Sequence, residues 1–104
     1  MEYQRMDYVT GDKRIFDFVF MKTPNDDWRI YIINFSRLKY GFRNSSSHAA
    51  HWLQAPGETY KYICWQGRIT TLEQAKAVAS LWADATALYI KTGEKFDNIV
   101  ARLI

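Results

Sequence analysis

TLEQAKAVASLWADATALYIKTG, residues 71–93, decides the fold. Its apolar residues Ala75, Val78, Ala79, Trp82, Ala85, Leu88 and Tyr89 recur at helical spacing, while Glu73, Lys76, Ser80, Asp84 and Lys91 trace the opposite stripe. Thr71 can cap the N–H groups of the first turn with Gln74 reaching back, and Gly93 supplies a left-handed stop. The pattern predicts one long helix with one face to bury. Ala75, Ala79 and Ala85 keep that face shallow, which suits close approach to a sheet, and Trp82 and Tyr89 carry most of its area.

Strands precede the helix. Glu2 to Val9 reads as a weakly patterned first strand, closed by the turn residues Thr10-Gly11-Asp12. Arg14 to Lys22 follows, with Phe16, Phe18 and Phe20 on one face and Ile15, Val19 and Met21 on the other. After the turn Pro24-Asn25-Asp26-Asp27, a third strand from Trp28 to Phe35 places Trp28, Ile30 and Ile32 on one face and Tyr31, Ile33 and Phe35 on the other. Ser36 to Thr59 is a long loop in which Ser47 is expected to cap a short helix from His48 to Gln54. Tyr60 to Trp65 is the fourth strand, and Lys95 to Leu103 forms a short terminal helix.

The expected fold is therefore α+β, with residues 1–104 as a single small domain. It is an antiparallel β-meander of three to four strands, a long C-terminal helix packed on a face, and a short terminal helix. Strands two and three are apolar on both faces, yet only one long helix is on hand to cover them. The second face must be covered by residues 36–57, by the terminal helix, or by another chain, either in a homodimer or at a partner surface.

With 48% hydrophobic and 16% aromatic residues the chain is expected to fold around an aromatic core rather than remain disordered. Its one cysteine, Cys64, excludes an internal disulfide framework and points to the cytoplasm. No apolar run approaches a membrane span, and the opening MEYQRMDYVT is too polar for a signal peptide, so no membrane role is expected. The net charge of +3 is mild but uneven: residues 28–57 carry Arg29, Arg37, Lys39 and Arg43 and no acid. Such a cluster suits a phosphate or an acidic surface.

No stretch spells out catalysis. His48 and His51 share a side at i, i+3 spacing and Cys64 could join them, but zinc needs three or four ligands and no second cysteine or well-spaced carboxylate stands beside these. Cys64 lies mid-strand, where a buried structural thiol is the simpler reading, and Ser45-Ser46-Ser47 lacks the glycine-flanked turn of a hydrolase nucleophile. No catalytic residue, metal site or cofactor is expected, and the protein is read as not an enzyme.

The run Arg37 to Arg43 is the most suggestive, since Arg37, Lys39 and Arg43 alternate with Leu38, Tyr40 and Phe42, beside Trp28 and Arg29 on the neighbouring strand. Phosphate contacts and ring stacking could come from one loop. Four clustered bases neutralise few phosphates, however, whereas Trp, Tyr and Phe anchor protein interfaces. The preferred reading is a small binding protein acting through protein–protein interaction. Its anchors are Trp28, Tyr40, Phe42 and Trp52, with Arg37, Lys39 and Arg43 steering an acidic partner; reversing those three bases is expected to spare the fold. A nucleic-acid-binding module using residues 28–43 is the alternative.

In outline, three strands and a helix resemble a double-stranded-RNA-binding domain. The N-terminal helix of that family is absent, and this helix opens TTLEQAK rather than with a lysine cluster, so the resemblance stops at topology. In size and mixed surface the chain also resembles the accessory or inhibitory proteins of bacterial mobile elements and phages.

Overall fold

The computed structural model describes residues 3–104. Five strands, β1 (Tyr3–Val9), β2 (Ile15–Lys22), β3 (Trp28–Ile32), β4 (Trp52–Leu53) and β5 (Lys61–Ile63), form one antiparallel sheet in the order β1-β2-β3-β5-β4. Between β3 and β4 lie a 3-10 turn at Phe35–Arg37 and the one-turn helix α1 (Ser47–Ala50). The long helix α2 (Leu72–Thr92) and the short α3 (Phe96–Leu103) complete the α+β fold. Glu2, read as the start of the first strand, lies outside the described residues.

Helix α2 begins and ends where its sequence says. Thr71 Oγ1 accepts from Gln74 N at 3.1 Å, Gln74 Oε1 accepts from Thr70 N, and Gly93 takes φ 77° with its N–H on Tyr89 O. Its shallow face lies over the sheet. Trp82, 1% exposed, meets Phe16 and Phe18 edge-on at 5.9 and 6.2 Å between centroids, and its Nε1 donates to His51 O. Burial extends round the helix to Ala83, Thr86 and Ala87, beyond the predicted stripe. Other elements reach those flanks: Tyr40 packs on Tyr89, and Phe96 of α3 packs on Trp82.

Two local expectations give way. The helix expected from His48 to Gln54 stops after four residues at Ala50. His51 then turns left-handed at φ 59°, and Trp52–Leu53 pairs with β5 instead. Ser47 Oγ donates to Trp52 O across that turn rather than capping the helix. The third strand ends at Ile32, and Phe35 turns to the helix side, where its ring meets those of Tyr40 and Trp52.

The register assigns every strand residue a face. Phe16, Phe18, Phe20, Ile30, Ile32 and Ile63 point to α2 and are buried. Directly across the pleat, Tyr3, Arg5, Asp7 and Val9 of β1 stand beside Ile15, Asp17, Val19 and Met21 of β2. The same face continues through Arg29 and Tyr31 of β3 to Tyr62 of β5 and Leu53 of β4. Leu38, Tyr40 and Ala50 of the long connection join the helix-side core, as do Phe96 and Ile99 of α3. Two of the three covers expected for the second face are thus spent on the first, and among the described residues no helix lies over the second.

Candidate functional site

The uncovered face is apolar and aromatic at its centre. Ile15 is 59% exposed, Tyr3 66% and Val9 56%, while Val19, Met21, Tyr31 and Ile33 are half-buried. A hollow of about 350 Å³ lies among Val19, Met21, Tyr31, Ile33 and the segment Glu58–Tyr60. β-Branched and aromatic side chains form this floor because the alternation of β2 and β3 is apolar at both phases, and the pleat sends one phase each way.

Charges frame the hollow in mixed sign. Arg29 stacks over the Tyr62 ring at 4.1 Å, donates to Tyr31 Oη and sits 3.7 Å from Glu58 Oε1. Tyr31 Oη in turn donates to Glu58. The bond to Tyr31 is the main reason the Arg29 pKa is raised, and burial is the main reason the Tyr31 phenol is raised. At the other end Arg5 Nη2 contacts Asp17 Oδ2 at 2.6 Å. Among the described residues, Arg5 and Arg29 face Asp7, Asp17 and Glu58, two cations against three carboxylates. A polyanion finds no net attraction here.

The residues singled out in the sequence do not gather at one place. Arg29 belongs to the open face just described. Trp28 lies on the opposite side of the same strand, half-buried against the core. Tyr40 is buried between Phe35 and Tyr89, with its hydroxyl sealed beside Thr86. Trp52 is half-buried, its Nε1 bound to Ser45 O and its ring capped by Lys61 Nζ at 4.5 Å. Arg43 bends back to the end of α2, where Nε donates to Ile90 O and Nη2 to Lys91 O. Its charge closes a helix, so a three-base reversal that includes Arg43 does not leave the fold untouched. Arg37 and Lys39 are exposed, and Phe42 stands fully in solvent at the tip of the same loop.

A second concavity of about 570 Å³ brings His51, Cys64, Phe96 and Asp97 together. The His51 ring stacks on Phe96 at 4.6 Å with Nε2 3.3 Å from Asp97 Oδ1, and Cys64 N donates to His51 O. The Cys64 thiol makes no hydrogen bond to the His51 ring among the described residues, and a cysteine nucleophile needs that base within reach. His48 lies apart, exposed on α1, and among the described residues no group of three metal-ligating side chains occurs.

Sequence reasoning placed Val19 and Met21 on one face of the second strand and Tyr31 and Ile33 on one face of the third, but neither joined the two nor named them as a site; the unanswered question of what covers them was the available signal. Among the described residues no helix is long and apolar enough to cross a membrane. No family model matches the chain, and no curated protein or solved structure matches it significantly.

Proposed function

We propose that this is a non-catalytic binding protein that captures a protein partner on the uncovered face of its sheet. The observation that carries the reading is the apolar floor of Val19, Met21, Tyr31 and Ile33 around an open hollow, framed by charges of both signs. Such a surface offers hydrophobic anchoring at the centre and polar matching at the rim, the usual anatomy of a protein interface. A contiguous apolar patch is also costly to leave in water, so a partner that removes it from solvent gains binding energy. An accessory or inhibitory protein, masking a surface of its target, fits this design. A cytoplasmic setting belongs to the same proposal and rests on the single free thiol of Cys64.

The test is affinity capture with the wild-type protein and with Val19→Lys/Ile33→Lys, both confirmed folded. Loss of a specifically captured protein in the double variant supports the reading; unchanged capture refutes it.

One observation favours nucleic acid as a second reading. Phe42 stands free between the exposed bases Arg37 and Lys39 and the tethered Arg43, so a base could stack there with phosphates alongside. Binding of a short mixed-sequence oligonucleotide that disappears in Phe42→Ser, and with added salt, would promote it.

A further inference from the structure

The outer edge of β1 is a seven-residue strand with nothing paired along it among the described residues. Two hydrogen bonds fix which backbone groups face outward. Thr10 N donates to Arg14 O at 3.0 Å just past β1, and Ile33 N donates to Asp17 O at 2.8 Å on the far side of β2. In that phase Gln4, Met6 and Tyr8 exchange bonds with β2, and the N–H and C=O groups of Tyr3, Arg5, Asp7 and Val9 point away from the sheet. The run contains no proline, lysine or bulge to blunt the edge, and its two charges, Arg5 and Asp7, are of opposite sign, so they repel a second copy only in some registers.

Its charges are arranged for one partner. Asp7 stands directly opposite Asp17 on β2, a like-charge pair, while Arg5 contacts Asp17; Asp7 has no ion pair among the described residues. An isologous antiparallel pairing of β1 with another β1 must match outward residues with outward residues, so its two-fold axis passes through Arg5, Met6 or Asp7 if the overlap is substantial. An axis at Arg5 sets two arginines face to face, and one at Asp7 sets two aspartates face to face. Only the axis at Met6 sets each Arg5 against Asp7 of the other copy, and it also sets Tyr3 against Val9 and uses the whole strand. Charge thus selects the register that maximises pairing over those centred on Arg5 or Asp7, and longer slips forfeit the Arg5–Asp7 pairs and part of the strand.

We propose that the chain forms a two-fold homodimer through β1, centred on Met6, which joins two five-stranded sheets into one. About 23 Å of edge is paired at the usual rise per residue. Each outward residue exchanges a pair of backbone hydrogen bonds with its counterpart, and each Arg5 guanidinium bridges its own Asp17 and the other copy's Asp7. Both uncovered faces remain open and become contiguous, so the inference stands independently of what docks there.

Solution mass by light scattering, from micromolar to millimolar protein, tests it with Arg5→Glu, Asp7→Lys and an equimolar mixture of the two. The wild type is expected at twice 12.3 kDa. Each single variant, folded by circular dichroism, should dissociate at least about tenfold more readily, because like charges then meet across the seam. The mixture should recover the dimer, since opposite charges again face each other at both positions. A wild type that stays monomeric overturns the proposal, as do single variants that keep the wild-type mass. Failure of the mixture to recover overturns the Met6-centred register. Val19→Lys/Ile33→Lys should remain dimeric; if it alone dissociates, the copies meet face to face and the edge assignment is wrong.

Discussion

Arg43 and Gly93 close the end of the long helix together: a Cβ on Gly93 would come within 2.7 Å of Arg43 Nη1, and Gly93 itself sits at φ 77°. The glycine is needed twice, once for the left-handed stop and once for the space through which the guanidinium reaches Ile90 O and Lys91 O. Gly93→Ala is therefore expected to cost about 1–3 kcal/mol, in the range of a strained left-handed residue. Arg43→Ala should cost less, and the two losses should not add, since either one opens the same contact. Urea denaturation of both variants and the double variant checks this. Fully additive losses would mean that a Cβ at residue 93 leaves the Arg43 contact in place and acts through backbone strain alone.

Trp82 is the largest side chain in the core and links β2, α3 and the left-handed turn at His51. Trp82→Ala is expected to lose about 3–5 kcal/mol by denaturant titration. A loss under ~1 kcal/mol would show that α2 does not present this face to the sheet.

Among the described residues the buried Tyr40 hydroxyl has no well-formed hydrogen bond, and neither has Thr86 Oγ1 beside it. Because a poorly paired buried hydroxyl is a burden to the fold, Tyr40→Phe should keep or raise stability at neutral pH. Burial also holds the Tyr40 phenol well above its ordinary value of 10.0, and burial with the bond to Asp84 raises Tyr8. The fold favours the neutral phenols, so their contribution is whole below pH 10 and is lost as the pH climbs through the raised folded values. Thermal midpoints should fall above pH 10, and less steeply in Tyr40→Phe. Absorbance at alkaline pH should show tyrosines that ionise late; a single unperturbed titration would contradict the buried placement.

Phe42 contributes no burial, and Arg37 and Lys39 are exposed. Phe42→Ser and Arg37→Glu/Lys39→Glu should each shift stability by no more than about 0.5 kcal/mol, whatever they do to binding. A larger drop would place the loop tip against the body of the protein.

The helix was legible because its two ends and its period are local: Thr71, Gln74 and Gly93 act within their own turns. The double-faced apolarity of β2 was legible for the same reason, since alternation along a strand needs no partner to be read. What failed was tertiary. Arg43 looked like a surface base and Tyr40 like an anchor because nothing within the run from Arg37 to Arg43 reports that α2 ends beside it. The helix read through His51 and Trp52 had the right composition, but pairing of Trp52 with Ile63 of β5 outweighed a helix with no strong cap. The significance of Arg5 and Asp7 was hidden for another reason. Their charges become informative only once β1 is known to lie at the edge of the sheet.

The most direct test of the central claim is a methyl spectrum of the protein with and without the partner recovered by the wild-type chain. Signals from Val19, Met21 and Ile33 should shift on addition, while those of the core residues Val78 and Ile99 on the helix side should hold still. Shifts confined to Leu38, the methyl-bearing residue of the run from Arg37 to Arg43, with Val19 and Ile33 unmoved, would contradict the account and place the partner on the loop.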